Sequence, residues 1–408
     1  MDITMPLNYE KSHPWITFLV DTRQAGIEIW LRLGEIQSKC RHIAATLLDP
    51  KTAKELQLLY LAKGARATTA IEGNTLTEEQ VRQHLSGKLE LPPSKEYLGI
   101  EIDNIVNACN KIADSQFTGT TTPLTVDEIK KYNFYVLNRL PHGDDVIPGE
   151  IRKHSVGVAR YRGAPAEECQ YLLERMCQML KDDFSLGQNW PISTGVLKAI
   201  LAHLYIAWIH PFGDGNGRTA RLVEFMLCIS AGIPAPAAHL LSNHYNETRS
   251  AYYLALDKTS KECNPFPFIA YALQGYADQL SEQLERIRQA QYKAFWTNYV
   301  YSQFEGFDSV AHKRRRDLLL AISDKTFEND SWILINKIED ISFPLHTIYA
   351  EKTSRMKARD INALISMDLL QRVKGKVRPC FEKIEAYLPK RVSAANEGES
   401  TGRGKQGK

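Results

Sequence analysis

Along most of the chain, apolar positions recur at three- and four-residue steps, the period of amphipathic helices. Ile27, Trp30, Leu31, Leu33 and Ile36 form one such stripe, and Leu56, Leu58, Leu59 and Leu61 another. Pro50 interrupts the two and Pro92-Pro93 closes the region, so residues 1–95 read as a helical N-terminal segment and 96–285 as a second, mainly helical domain. Inside the second domain, Leu197, Ile200, Leu201, Leu204 and Trp208 predict a helix capped by Thr194 and ending at His210. Arg218, Leu222, Phe225, Met226 and Cys228 predict the next helix, closing at Gly232 before Pro234. One stretch breaks the helical period. Ile151-Arg152, then Ser155, Val156, Gly157 and Val158, then Arg160 to Pro165 alternate and end in turn formers, which predicts a short exposed hairpin.

Beyond residue 285 the character changes. A long amphipathic helix over about 276–300 leads into a linker helix, 286–310, and to Lys313-Arg314-Arg315-Arg316. Helical segments follow, then a helix over Thr353–Leu370 with Arg355, Lys357 and Arg359, then a basic hairpin turning at Gly375. Residues 311–392 thus resemble a winged helix-turn-helix, a fold that reads DNA with such a helix and wing and also serves as a protein-docking module. The lysine–arginine run also fits a solvated helix start. Residues 393–408 are rich in glycine and serine, without large apolar side chains, and are expected to be disordered. The predicted fold class is mainly α, with one β-hairpin in the second domain and a winged-helix-like C-terminal domain.

Composition adds mostly exclusions. A chain of 408 residues is long for a single core, and its net charge of +3 does not by itself demand a polyanionic partner. Seven scattered cysteines form neither a ligand-pair spacing nor a disulfide framework and are expected to be reduced, mostly buried thiols. No apolar export segment or membrane-length uncharged run is read, so a cytoplasmic location and no membrane partner are expected.

The densest chemistry lies in residues 210–221, His-Pro-Phe-Gly-Asp-Gly-Asn-Gly-Arg-Thr-Ala-Arg. His210 is a candidate base and Asp214 a hard oxygen ligand for magnesium or manganese. Gly213, Gly215 and Gly217 let backbone approach a ligand, and the first amides of the following helix favour an anion. Arg218 and Arg221, at i and i+3, share a helix face and can grip adjacent phosphates. Attack of a hydroxyl on an α-phosphorus needs these parts: a proton acceptor, alignment, and neutralisation of the leaving pyrophosphate.

This stretch resembles the Fic family, enzymes that mostly transfer AMP from ATP to a hydroxyl on a target protein, and departs from its pattern at no fixed position. The resemblance implies His210 as base, Asp214 as metal holder, Arg218 and Arg221 as phosphate contacts, and the loop amides with Asn216 as an anion hole. It implies ATP as substrate with Mg2+ or Mn2+. The partner would be a target protein bearing a serine, threonine or tyrosine hydroxyl, and a homodimer is admitted. The hairpin around Ser155–Val158 resembles the family's flap, which holds the target segment by strand addition. Tyr252-Tyr253, after Ser242 and Arg249, falls where the family carries two tyrosines, with Tyr253 as nucleotide contact and Tyr252 as core.

Residues 68–74, Thr-Thr-Ala-Ile-Glu-Gly-Asn, resemble the inhibitory motif of the self-inhibited Fic class, with Thr68, Glu72 and Gly73 at its fixed positions. There the glutamate pairs with the second arginine, here Arg221, and obstructs the γ-phosphate of productively bound ATP. Two other readings stay open. One is removal of AMP from a modified protein, with Glu72 as base on water. The other is a DNA-binding regulator whose Fic domain only senses nucleotide.

Overall fold

The computed structural model describes residues 7–117, 123–158, 161–182, 185–350 and 354–385. Arg160, Thr353, the last residues of the expected C-terminal domain and the tail from 393 lie outside the described residues. The chain divides into two compact units, Met1–Ile287 and Arg288–Lys408.

The first unit is helical: α1 (Ile27–Ala45), α2 (Pro50–Ala70), α3 (Glu96–Phe117), α4 (Val126–Leu137), α5 (Cys169–Asp182), α6 (Pro191–Ile209), α7 (Asn216–Ser230), α8 (Arg249–Lys261) and the first part of α9 (Phe266–Gln303). Ile36, Cys40 and Tyr60 lie in the same core as Leu201, Val223 and Leu280, so the unit does not break near residue 95 as expected. The N-terminal stripes find their apolar partners in the middle of the chain.

Pro50 opens α2 rather than merely separating two stripes, because a proline at the first helical position gives up an N–H that has no partner there anyway. Asp49 caps it, accepting from Lys51 and Thr52 N–H at 3.1 and 3.0 Å. Pro191 opens α6 in the same way, three residues before the expected cap. Thr194 therefore sits inside the first turn, where its Oγ1 accepts from Leu186 N–H at 3.2 Å. Apolar nearly all round, α6 is buried along its length and packs on α7 as the centre of the unit. Among the described residues it is the one helix with the length and hydropathy to cross a membrane, and 83% of that span is inside the structure.

The hairpin forms, more briefly than expected: β1 (Gly157–Val158) pairs antiparallel with β2 (Tyr161–Arg162), Gly157 opposite Arg162. Ser155 and Val156 precede the strand, although Val156 O still accepts from Gly163 N–H at 3.1 Å. The hairpin base is stitched to the end of α6: Ile151 bridges Phe212, Arg152 N–H donates to Pro211 O (3.0 Å) and Ala164 N–H to Ile209 O (3.1 Å).

The second unit has its own core, with Trp296, Leu318, Ile322, Leu364, Val377 and Phe381. Its elements are α10 (Val310–Asn329), β3 (Ile333–Leu334), α11 (Phe343–Ala350), α12 (Ser354–Ser366), β4 (Leu370–Val373) and β5 (Lys376–Pro379), the strands in the order β3-β5-β4. The expected helix to Leu370 stops at Ser366, and Leu370 begins a strand. The expected linker helix is divided, since α9 ends at Gln303 and Ser309 caps α10. The expected turn is present: Lys374 and Gly375 both have positive φ (45° and 78°), the two-residue turn whose twist suits a hairpin.

Candidate active site

His210 ends α6 in the left-handed conformation (φ 52°, ψ 57°), uncommon for a residue with a Cβ, while its N–H still closes the helix on Ile206 O at 2.9 Å. Buried Arg152 holds this turn from below, donating to the carbonyls of His210 (2.7 Å), His154 (2.7 Å) and Ala164 (2.5 Å). One guanidinium thus joins the base of the hairpin to the histidine. Burial pushes the imidazole pKa down to about 4, against a hydrogen bond to the Ala207 backbone that favours the charged form. Burial therefore keeps the ring neutral at neutral pH, with a nitrogen lone pair available but a lower proton affinity than a solvated imidazole has.

The loop that follows is braced from within. Asn216 folds both side-chain groups back on Phe212, accepting from its N–H at 2.9 Å and donating to its carbonyl at 2.8 Å. The Asn216 side chain thus shapes the loop, while its backbone N–H lies in the first turn of α7. Gly215 turns the chain into α7 at φ +76°, and no side chain among the described residues caps the first amides of that helix. Buried Asn133 of α4 ties the loop to the core, donating to Asp214 O (2.9 Å) and Thr219 Oγ1 (3.3 Å) and accepting from Gly149 N–H (2.9 Å).

Both arginines are held by carboxylates. Arg221 Nη2 donates to Glu72 Oε1 at 2.5 Å and to Thr68 O at 2.8 Å; its side chain is 1% exposed, that of Glu72 34%. A Cβ on Gly217 would lie 2.1 Å from Glu72 Oε1, so the carboxylate sits at the N-terminus of α7 where only glycine leaves room. Burial opposes ionisation of Glu72, but the charges of Arg221 and Arg218 outweigh it and hold the carboxyl below its ordinary value. Arg218 donates to Glu101 Oε1 (2.9 Å) and to Asp214 Oδ1 (3.2 Å). Nε of each arginine is buried without a partner among the described residues.

The turn bearing Glu72 is itself clasped. Glu72 N–H returns to Thr69 O (3.0 Å), and Gly73 follows at φ +107°. Asn74 donates to Glu101 Oε2 (2.8 Å) and to Leu98 O (3.0 Å). Arg249, at the start of α8, donates to the carbonyls of Ala70 and Ile71, so the helix dipole and this cation meet at the end of α2. On α8, Tyr252 is buried with its hydroxyl on His203 Nε2 (2.9 Å), and Tyr253 is exposed. Ser242 is buried on the helix Leu240–Glu247.

The structure therefore gathers Thr68, Glu72, Gly73, His210, the loop glycines, Asp214, Arg218 and Arg221 in one place. Sequence reasoning missed Arg152, Glu101 and Asn133, whose polar neighbours Lys153, Asp103 and Lys131 leave them without a distinguishing local signal. Among the described residues no group of three His, Cys, Asp or Glu is placed to hold a metal. Asp214 is about half exposed, and no donor among the described residues reaches its Oδ2. A lone hard carboxylate fits Mg2+, which keeps waters and substrate phosphates as its other ligands.

Comparison with known proteins agrees with this geometry. The chain is 28% identical over 225 residues to Protein adenylyltransferase fic-1 of Caenorhabditis briggsae, covering 54% of this chain and 40% of the relative. It is 27% identical over 227 residues to Protein adenylyltransferase Fic of Nematostella vectensis, covering 55% and 50%. The chain thus spans half or less of the length of these relatives. A crystal structure of a Fic family protein from Desulfovibrio desulfuricans G20 superposes with a TM-score of 0.53 at 19% identity, over 86% of this chain and 95% of that one, which speaks for a shared fold. Residues 123–228, from the approach to α4 through most of α7, match the Fic/DOC family.

Proposed function

We propose that the chain transfers AMP from ATP to a serine, threonine or tyrosine hydroxyl of a target protein and of itself, and that Glu72 holds this activity in check. The observation that carries the reading is the 2.5 Å contact of Glu72 with Arg221 at the N-terminus of α7, where the neighbouring amides have no side-chain cap among the described residues. In this reading the phosphates lie along those amides and the two arginines, replacing Glu72 and Glu101 as their partners. The hydroxyl proton passes to His210 as the oxygen bonds to the α-phosphorus, and the bond to the leaving pyrophosphate breaks. Asp214 would hold Mg2+, which when bound neutralises phosphate charge. The hairpin β1–β2 offers backbone for an extended target segment.

Incubation with labelled ATP tests this. Glu72→Gly should raise self-labelling and target labelling about tenfold to a hundredfold, the equivalent of about 1.5–3 kcal/mol for a charged hydrogen bond removed from competition. Arg221→Ala added to that variant should abolish the gain, because both effects pass through one guanidinium. Unchanged labelling by a folded Glu72→Gly protein would falsify the inhibitory role. If the site instead removes AMP with Glu72 as base, the same variant loses release of AMP from a modified protein.

A further inference from the structure

The second unit carries a surface the AMP-transfer reading does not use. Its order, helix, short strand, two helices and then a β-hairpin, with the first strand against the last, is that of a winged helix. We propose that α12 and the β4–β5 hairpin bind duplex DNA, α12 in the major groove and the hairpin against the backbone.

On α12 the buried side chains Asp360, Ile361 and Leu364 face the core, while Arg355, Arg359 and Asn362 are exposed at four- and three-residue steps. They make one stripe, and no carboxylate among the described residues pairs with either arginine. Arginine and asparagine are the side chains that grip guanine and adenine edges bidentately in the major groove. In the hairpin, Arg372, Lys374 and Lys376 are exposed around the Lys374-Gly375 turn and likewise lack a carboxylate partner among the described residues. Three acids of the unit are already neutralised: Asp360 by Arg314 and Arg315, Glu339 by Lys357 at 2.6 Å, Asp330 by Arg378 at 2.9 Å. Five unopposed cations and one amide therefore remain on the helix and wing.

The sequence distributes charge in the same sense. The unit Arg288–Lys408 holds 22 Lys and Arg against 15 Asp and Glu, while Met1–Ile287 holds 29 against 33. The basic surplus of the chain belongs to the unit with the wing, and a polyanion is the partner whose charge it complements. Lys357 and the run Lys313–Arg316 are not counted on for this surface, since Lys357, Arg314 and Arg315 are spent on internal carboxylates.

Fluorescence anisotropy of the full chain with a labelled, randomised duplex pool, followed by enrichment of bound sequences, tests the proposal. Affinity for the pool should fall steeply between about 50 and about 200 mM salt. Replacing Arg372, Lys374 and Lys376 together by alanine should weaken all sequences alike and lower the log–log salt slope by about 3. Arg355→Ala and Arg359→Ala should each cost about fivefold to a hundredfold on enriched sequences and relax the preference there. Neither set should shift the thermal midpoint, since all five side chains are exposed. Three results would overturn the proposal: no binding at low salt, binding that neither set weakens, or equal binding to randomised RNA. The second would move the contact to another basic segment, and the first would leave the surface for a protein.

Discussion

Two pairs of arginines in this chain are each held by carboxylates, and they serve opposite ends. In the second unit, Arg314 and Arg315 converge on Asp360, which is 1% exposed and also accepts from Tyr349 Oη at 3.0 Å. Both its oxygens are taken from several directions, so nothing can displace it without leaving a buried charge. In the first unit, Arg218 and Arg221 meet separate carboxylates, Glu101 on α3 and Glu72 in the turn after α2, each with its Nε left over, and one partner, Glu72, remains open to solvent. An ion pair is structural when its acid is saturated and enclosed. It is exchangeable when its donors are in excess and its acid can leave.

The comparison is broken most decisively by a pair of substitutions with opposite outcomes. His210→Ala should lower AMP transfer about 10^2- to 10^4-fold while leaving the urea midpoint and ATP binding in place, because the ring is assigned to proton removal alone. Asp360→Ala should do the reverse, costing about 3–5 kcal/mol in urea unfolding as three buried or half-buried donors lose their acceptor, with transfer retained by whatever remains folded. A stable Asp360→Ala protein would remove the distinction drawn here.

A second contrast concerns acid. His239, buried against the gap left by Gly64 and stacked on Phe225 at 4.5 Å, is pushed by burial to a pKa of about 4. Its folded pKa lies below the unfolded value near 6.5, so the unfolded chain binds the extra proton between them. The associated stability is present above about pH 6.5 and lost as pH falls toward 4, by up to about 3 kcal/mol. Thermal melts from pH 7 to 4.5 should show this slope, and His239→Phe, which keeps a flat ring, should flatten it. An unchanged slope would place the acid sensitivity elsewhere, with His210 the next residue to test.

What could be read from the sequence was local. Residues 210–221 carry their geometry in adjacent positions, so the turn at Gly215, the arginine face and the opening of α7 were all legible there. The hairpin turn at Gly375 was legible for the same reason. Illegible were partners distant along the chain: Glu101 lies 117 residues from Arg218, and Asp360 lies 46 from Arg314. A basic run met without its acid looks like a surface, which is why Lys313–Arg316 read as a solvated start or a DNA contact. The strand Ile333–Leu334 is too short to show a period, and the bracing of the loop by the Asn216 side chain could not be told from a ligand contact by residue type alone.

The smallest expected effect probes the second of the two exchangeable pairs. Glu101 holds Arg218 at 2.9 Å and is in turn held by Asn74, next to the turn that presents Glu72. Burial, with the charges of Asp214 and Glu72, pushes its carboxyl above the ordinary value, against the Asn74 hydrogen bond and the Arg218 charge. This pair is poised to weaken. Glu101→Gln keeps an oxygen for the asparagine but removes the charge that competes with phosphate for Arg218. The KM for ATP should fall by about tenfold or less, with kcat nearly unchanged, since a charged hydrogen bond contributes about 1.5–3 kcal/mol, part of it restored by the neutral amide. Placed on Glu72→Gly, the substitution should still act, because it concerns the other arginine. A rise in KM would mean that Glu101 holds Arg218 in the posture that meets phosphate, and Arg218–Glu101 would then belong with Arg314 and Asp360 among the structural pairs.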